Sequence, residues 1–415
     1  MTSSSGAGSG GGNRYGTGRD GFGGNRGNGG NRGNGGGDDS SLGPDARLHV
    51  VRFAPAKLNL TLAVLGKRDD GYHAIHSVMA PLSLGDALTV SAPPPGATRD
   101  SLRVSGLPLP PDRDNLVLKA IIASRAAVAT TWPGAPAFPP PLAARLAKRI
   151  PVAAGLGGGS SDAAAAIRAA LAAWTASLQP PETMALASSL GSDVPFFLAN
   201  STALVTGRGE FVEPLPDIRG EPPAVLLVTP GLPLATQAVF KAYAGGTRVI
   251  DAGRAREISE RLAADMRAGM TAASLLARAE DLASANDLQA ATASIVPGLR
   301  AFMTALQKLL GRPVCQSGSG PTLWALYPTL IEARKAVRFV RLAAVNGTLP
   351  LLGAGEPFVG ATTIAGRPTA PAEQFEGGVS GTVRPRSVHN WYDTDEPASG
   401  DPTEAQGDSK GDESR

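Results

Sequence analysis

Three consecutive glycines, Gly157-Gly158-Gly159, separate an apolar approach, Pro151-Val152-Ala153-Ala154-Gly155-Leu156, from a run that opens Ser160-Ser161-Asp162 and continues into alanines. Alanine is the strongest helix former, so this run predicts a helix beginning at about Ser160 or Ser161. The first amides of such a helix point unpaired into the glycine loop. Glycine lets a ligand approach the backbone closely, and the helix dipole adds partial positive charge, so the segment predicts an anion site suited to phosphate. A flexible linker ahead of a capped helix is the alternative, but apolar residues flank the loop and no spacer precedes the helix. No lysine follows the glycines as in a Walker loop, and no strand with a downstream acid supports a dinucleotide fingerprint.

The surroundings constrain where this loop sits. Residues 1–45 are dominated by Gly, Asn, Ser and Arg, and residues 369–415 by Pro, Gly, Ser and acids. Neither composition offsets its ordering entropy, so both read as disordered tails, the first basic between Ser4 and Gly37 and the second acidic. The chain as a whole carries a net charge of +3, which points to no particular partner. The Arg-Gly repeats around Arg26 and Arg32 admit weak RNA binding, but no specific nucleic-acid partner is expected. Cys315 is the only cysteine, which excludes an internal disulfide or a multi-cysteine metal site. His73 and His76 lie three apart in what reads as a loop after Gly71-Tyr72. No apolar run is long enough to span a bilayer and no secretory signal opens the chain, so a cytoplasmic protein with no membrane partner is expected.

Between the tails, strands and helices alternate. Strands are expected over 48–53, 58–65, 84–91, 202–206, 211–214, 224–229 and 322–327. Helices are expected over 115–128, from the glycine loop to about Trp174, and over 298–310, where Leu299, Phe302, Met303, Leu306, Leu309 and Leu310 share a face. The proline-bearing stretch 214–223 reads as a junction, giving an N-terminal domain over 46–222 and a C-terminal domain over 223–368. The expected class is α+β, with a cleft between two domains.

Two further segments carry chemistry: Pro55-Ala56-Lys57-Leu58-Asn59-Leu60 on an early strand, and Gln316-Ser317-Gly318-Ser319-Gly320-Pro321-Thr322, a second glycine loop. With the first glycine loop, their identity and order resemble those of the GHMP kinases, which phosphorylate small alcohols. Two more segments are similar to the branch of that superfamily whose substrate is a cytidine-diphosphate-linked methylerythritol. They are Gly66-Lys67-Arg68-Asp69-Asp70-Gly71-Tyr72-His73 and Leu190-Gly191-Ser192-Asp193-Val194-Pro195. The resemblance implies a two-domain fold, ribosomal-protein-S5-like and then ferredoxin-like, with the active site in the cleft. It implies ATP and Mg²⁺ as co-reactants, the nucleotide held by Pro151, Val152, Ala153, Ala154, Gly155, Leu156, Gly157, Gly158, Gly159, Ser160 and Ser161. The protein is expected as a monomer or a homodimer.

Phosphoryl transfer to an alcohol needs an acceptor for the hydroxyl proton and positive charge for the phosphates. At family-matching positions, Asp193 fills the first role and Lys57 the second, the two being expected to pair. Taken alone, Lys57 reads as a surface lysine and Asp193 as a helix cap. Tyr72 and His73 suit recognition of a pyrimidine, with Phe240 stacking on its other face or simply packing, and Thr236 and Asn59 offering hydrogen bonds to substrate. No residue is assigned as a metal ligand, though Ser160 and Ser161 stand beside the phosphates and Ser161 is the candidate contact. Asp162 is expected to point away from the phosphates or to reach the metal through water. Asn286-Asp287-Leu288 is expected to stabilise the second domain. Another small-alcohol kinase, such as homoserine kinase, and a non-catalytic nucleotide sensor are the competing readings. The first lacks a reason for Gly71-Tyr72-His73, and the second for both Lys57 and Asp193.

Overall fold

The structure is a computed structural model, and it describes residues 49–107, 115–131, 139–246, 253–350, 352–353 and 355–366. The two tails lie outside the described residues, as does most of the proline-rich stretch after residue 131.

The spine of the first sheet is β3 (His73–Ser91), a single strand of 19 residues. Along one edge it pairs antiparallel with β1 (His49–Asn59) and then β2 (Ala63–Lys67). Its other edge takes β5 (Ala143–Lys148) and β6 (Ala203–Gly207), beyond which lie β4 (Ser101–Gly106) and β7 (Phe211–Pro214). The sequence reads strands over 48–53 and 58–65, whereas β1 runs unbroken from His49 to Asn59. Pro55 falls within it at a register shift between Pro55 and Lys57, where a missing amide disturbs no regular ladder. His73 and His76 lie on a strand rather than in a loop, and their odd spacing puts them on opposite faces.

Of the helices, α1 (Leu116–Thr131) and α2 (Gly158–Ala173) pack on one another, and α2 lies against β1 and β3. Its buried face includes Ala163, Ala164, Ala165, Ala166, Ala169 and Ala170, small side chains that let the helix approach the sheet closely. The helix begins at Gly158, earlier than expected, because the left-handed Gly157 (φ 70°) already turns the chain into it. Next come α3 (Pro180–Leu190) and the short α4 (Val194–Ala199).

A second, antiparallel sheet follows the 215–223 connection. Its order is β11 (Gly355–Thr363), β8 (Ala224–Gly231), β10 (Leu323–Tyr327) and β9 (Cys315–Gln316). Around it lie α5 (Thr236–Ala244), α6 (Arg254–Arg267), α7 to α9 within 272–295, α10 (Leu299–Leu310) and α11 (Leu330–Val345). On α10, Leu299, Phe302 and Leu306 are buried, while Leu309 is 36% exposed. The architecture is α+β with two sheets. Asn286, Asp287 and their neighbours bridge those sheets rather than serving the second alone. The Leu62 amide donates to the Ala285 carbonyl and the Asp287 amide to that of Leu62, while Asp287 Oδ2 accepts from the Val64 amide at 2.8 Å.

Candidate active site

The site forms where β1, the first turn of α2, the start of α4 and the loop after β9 converge. Gly155 carries a left-handed φ of 78°, and a Cβ there would lie 2.5 Å from the Ser317 carbonyl oxygen. The two glycine loops therefore touch backbone to backbone. Ser317 Oγ donates to the Gly155 carbonyl at 3.0 Å, and the Thr322 amide to that of Ala154. Gly318, at φ 56°, faces Asn59, where a Cβ would stand 2.8 Å from Oδ1.

Lys57 is buried to 4% exposure, so it is no surface lysine. Its Nζ donates to Asn59 Oδ1 at 2.5 Å and lies 3.7 Å from Asp193 Oδ2. Burial pulls the Lys57 ammonium below its ordinary pKa, and the Asp193 carboxylate opposes that shift. Asp193 occupies the N-cap position of α4, yet its side chain makes no capping bond. Its carboxylate turns to the lysine instead. Asn59 passes the interaction inward: its Nδ2 donates to Ser77 Oγ at 2.8 Å, and Ser77 Oγ donates to the Thr61 carbonyl at 2.5 Å.

Within the loop, Val152, Ala153 and Gly159 are exposed, Pro151, Gly155, Gly157, Gly158 and Ser160 half-buried, and Ala154, Leu156 and Ser161 buried. Ala154 and Leu156 thus contribute backbone but pack their side chains in the core. Ser161 Oγ is buried with no hydrogen-bond partner among the described residues, a free oxygen in the first turn of α2. That orphan hydroxyl fits a group presented with the phosphates, including a hard cation, whose ligands are oxygens. Clusters of His, Cys, Asp or Glu able to hold a metal by themselves are absent among the described residues. Asp162 points away from the loop, into a buried trio: Lys148 Nζ donates to Asp162 Oδ2 at 2.8 Å and to Asp86. Burial, with the Asp86 charge adding to it, raises the Asp162 carboxyl to about 7 in spite of Lys148.

On the other side, the His73 ring stacks on Phe240 of α5, with centroids 5.2 Å apart and planes at 26°, and meets Tyr243 edge-on. Burial and nearby Lys67 lower the His73 pKa, favouring the neutral ring. Tyr72 is 52% exposed, and its ring faces the Arg208 guanidinium at 5.2 Å instead of joining the His73–Phe240 stack. Thr236 opens α5 with its Oγ1 3.1 Å from Ser319 Oγ, at the second glycine loop. The structure therefore brings together Lys57, Asn59 and Asp193, ties Thr236 to the second loop, and joins His73 to Phe240. Sequence reasoning missed Ser317, Lys148 and Arg208. Only Ser317 had a signal, its place inside the second glycine motif.

A buried lysine paired with a carboxylate, together with a helix that opens from a glycine loop, is an arrangement suited to the phosphotransfer chemistry of the GHMP kinase class. The "GHMP kinases N terminal domain" family matches residues 115–201. A 4-diphosphocytidyl-2-C-methyl-D-erythritol kinase from Pelotomaculum thermopropionicum is 38% identical over 296 residues, covering 70% of this chain and 94% of that relative. Another, from Paramagnetospirillum magneticum, is 40% identical over 291 residues, 68% of this chain and 90% of the relative. The crystal structure of a 4-(cytidine 5'-diphospho)-2C-methyl-D-erythritol kinase superposes with a TM-score of 0.54 at 31% identity, over 76% of this chain and 99% of that one. The chain belongs to the 4-diphosphocytidyl-2-C-methyl-D-erythritol kinase family.

Proposed function

We propose that this chain transfers the γ-phosphoryl group of ATP to the 2-hydroxyl of 4-diphosphocytidyl-2-C-methyl-D-erythritol, in the methylerythritol phosphate route to isoprenoid precursors. The observation that carries the reading is the 3.7 Å approach of Asp193 to the buried Lys57 ammonium. Asp193 takes the hydroxyl proton as the oxygen attacks phosphorus, and Lys57 stabilises negative charge gathering on the transferring group. Residues 151–161 hold the triphosphate, with the opening amides of α2 and its dipole facing the anion. Mg²⁺ bound with the nucleotide would supply further neutralisation of the phosphate charge, and the unpartnered Ser161 Oγ would be its protein contact. His73, Tyr72 and Phe240 hold the cytosine, and Thr236 and Asn59 contact the substrate. Neutral His73 offers one ring nitrogen as donor and one as acceptor to the polar edge of the base.

The site draws on an N-terminal domain over 46–222 and a C-terminal domain over 223–368, in a cytoplasmic enzyme acting as a monomer or homodimer. Incubating the purified protein with ATP, Mg²⁺ and a panel of alcohols tests the reading. Phosphorylation of the cytidyl alcohol over homoserine and mevalonate is expected, and a preference for either competitor overturns the substrate assignment.

A further inference from the structure

The outer face of α11 leaves four large apolar side chains in solvent: Ile331 at 67%, Phe339 at 62%, Leu342 at 60% and Val345 at 86% exposure. Exposed Arg334, Lys335 and Arg338 stand between them. Ile331, Lys335, Arg338, Leu342 and Val345 follow at steps of four and three, so they form one stripe along the helix. The inner face, with Ala333, Ala336, Val337, Val340 and Ala343, packs into the core, so the stripe is not needed to hold the helix in place. An apolar strip of this size set among cations marks a surface suited to an anionic, partly aromatic partner.

Such a partner exists in the same chain. The segment Trp391-Tyr392-Asp393-Thr394-Asp395-Glu396 sets two large aromatics directly before three carboxylates, and lies outside the described residues. The described chain ends at Gly366, just past β11, which packs against α11. About 25 residues then lead to Trp391, a length whose random-coil span is roughly 25–30 Å. The 16 residues of α11 measure about 24 Å, so the tether reaches the whole stripe. A tether of this kind holds a local concentration on the order of millimolar, enough to occupy a weak site. A second copy of the chain meeting the stripe face to face would oppose cation to cation, whereas the acidic segment complements it. We infer that α11 is a docking face for the chain's own Trp391–Glu396 segment, the aromatics covering Phe339 and Leu342 and the carboxylates pairing with Lys335 and Arg338.

Carbodiimide coupling of the full-length protein, mixed in equal parts with its ¹⁵N-labelled form, tests this. Lys335 is expected to couple to Asp393, Asp395 or Glu396 within one molecule. Coupling should fall about tenfold when Trp391→Ala and Tyr392→Ala are combined, the loss of two apolar anchors. It should also fall with added salt. No coupling of Lys335 to this segment, coupling only between light and heavy molecules, or indifference to the double substitution overturns the inference. Hydrogen-exchange protection of α11 that appears only with anionic phospholipid vesicles would assign the face to a membrane instead.

Discussion

Lys148 Nζ, at the end of β5, donates to Asp162 Oδ2 at 2.8 Å beneath the first turn of α2 and at the same time to Asp86 on β3. Asp86 Oδ1 also accepts from the Arg149 and Ile150 amides, immediately before the phosphate loop. One buried cation thus fixes both ends of the loop to the sheet.

Replacing it exposes that dependence. Lys148→Met leaves two buried carboxylates without their counter-charge, and breaking a buried pair from one side costs about 3–5 kcal/mol. Urea unfolding should show a loss of this order, and an unchanged midpoint would mean the trio is not structural.

The raised Asp162 carboxyl sets the sign of a pH effect. A folded pKa near 7 against a reference of 3.8 means the folded state holds the proton more tightly. The associated stabilisation is complete at low pH and is lost as pH rises from about 4 to about 7. Asp162→Asn should flatten the dependence of unfolding free energy on pH across that window, measured by denaturant titration at several pH values.

Asp193→Ala should lower kcat by about two to four orders of magnitude, the range for loss of a general base, with ATP affinity by calorimetry nearly unchanged. The same change removes the interaction that holds the Lys57 pKa up, so its ammonium should titrate at lower pH. Near-normal turnover would remove Asp193 from the role of base.

Gly155→Ala places a methyl group where the Ser317 and Gly320 backbones stand and strains a left-handed backbone. The loops must part, so KM for ATP should rise about tenfold and stability should fall by roughly 1–2 kcal/mol. A large drop in melting temperature with unchanged ATP affinity would make the loop structural only.

His73→Ala should raise KM for the cytidyl substrate about ten- to a hundredfold, from polar groups of the base left unpaired, without altering that for ATP. Loss of ATP affinity instead would move the His73–Phe240 pair to the nucleotide side.

How far these relationships were legible in the sequence follows from how local they are. The phosphate loop, Lys57 and Asp193 lie in short motifs whose spelling carries their chemistry. Gly85-Asp86 spells a turn, so the sequence places the start of the strand over 84–91 well inside β3. Gly85 instead lies inside β3 with its α-carbon against the Phe53 ring, where a Cβ would come within 2.3 Å. Asp86, Lys148 and Asp162 meet across three elements, and no local pattern announces that encounter. Arg208 reaches Tyr72 by the same kind of non-local contact, and Asn286 reaches Gln316 and Gly318 in the second loop.

The shared hydrogen bonds of the two glycine loops bear on how the enzyme cycles. Ala154 and Gly155 carbonyls are held by Thr322 and Ser317, and the Lys57 amide is held by the Leu156 carbonyl. The two glycine loops and the strand bearing Lys57 are therefore one hydrogen-bonded piece. The start of α5 joins them, since Thr236 Oγ1 lies 3.1 Å from Ser319 Oγ of the second loop and the Leu234 amide donates to the Ala153 carbonyl of the first. A displacement of either loop is therefore carried to the other, to α5 and to the strand bearing Lys57.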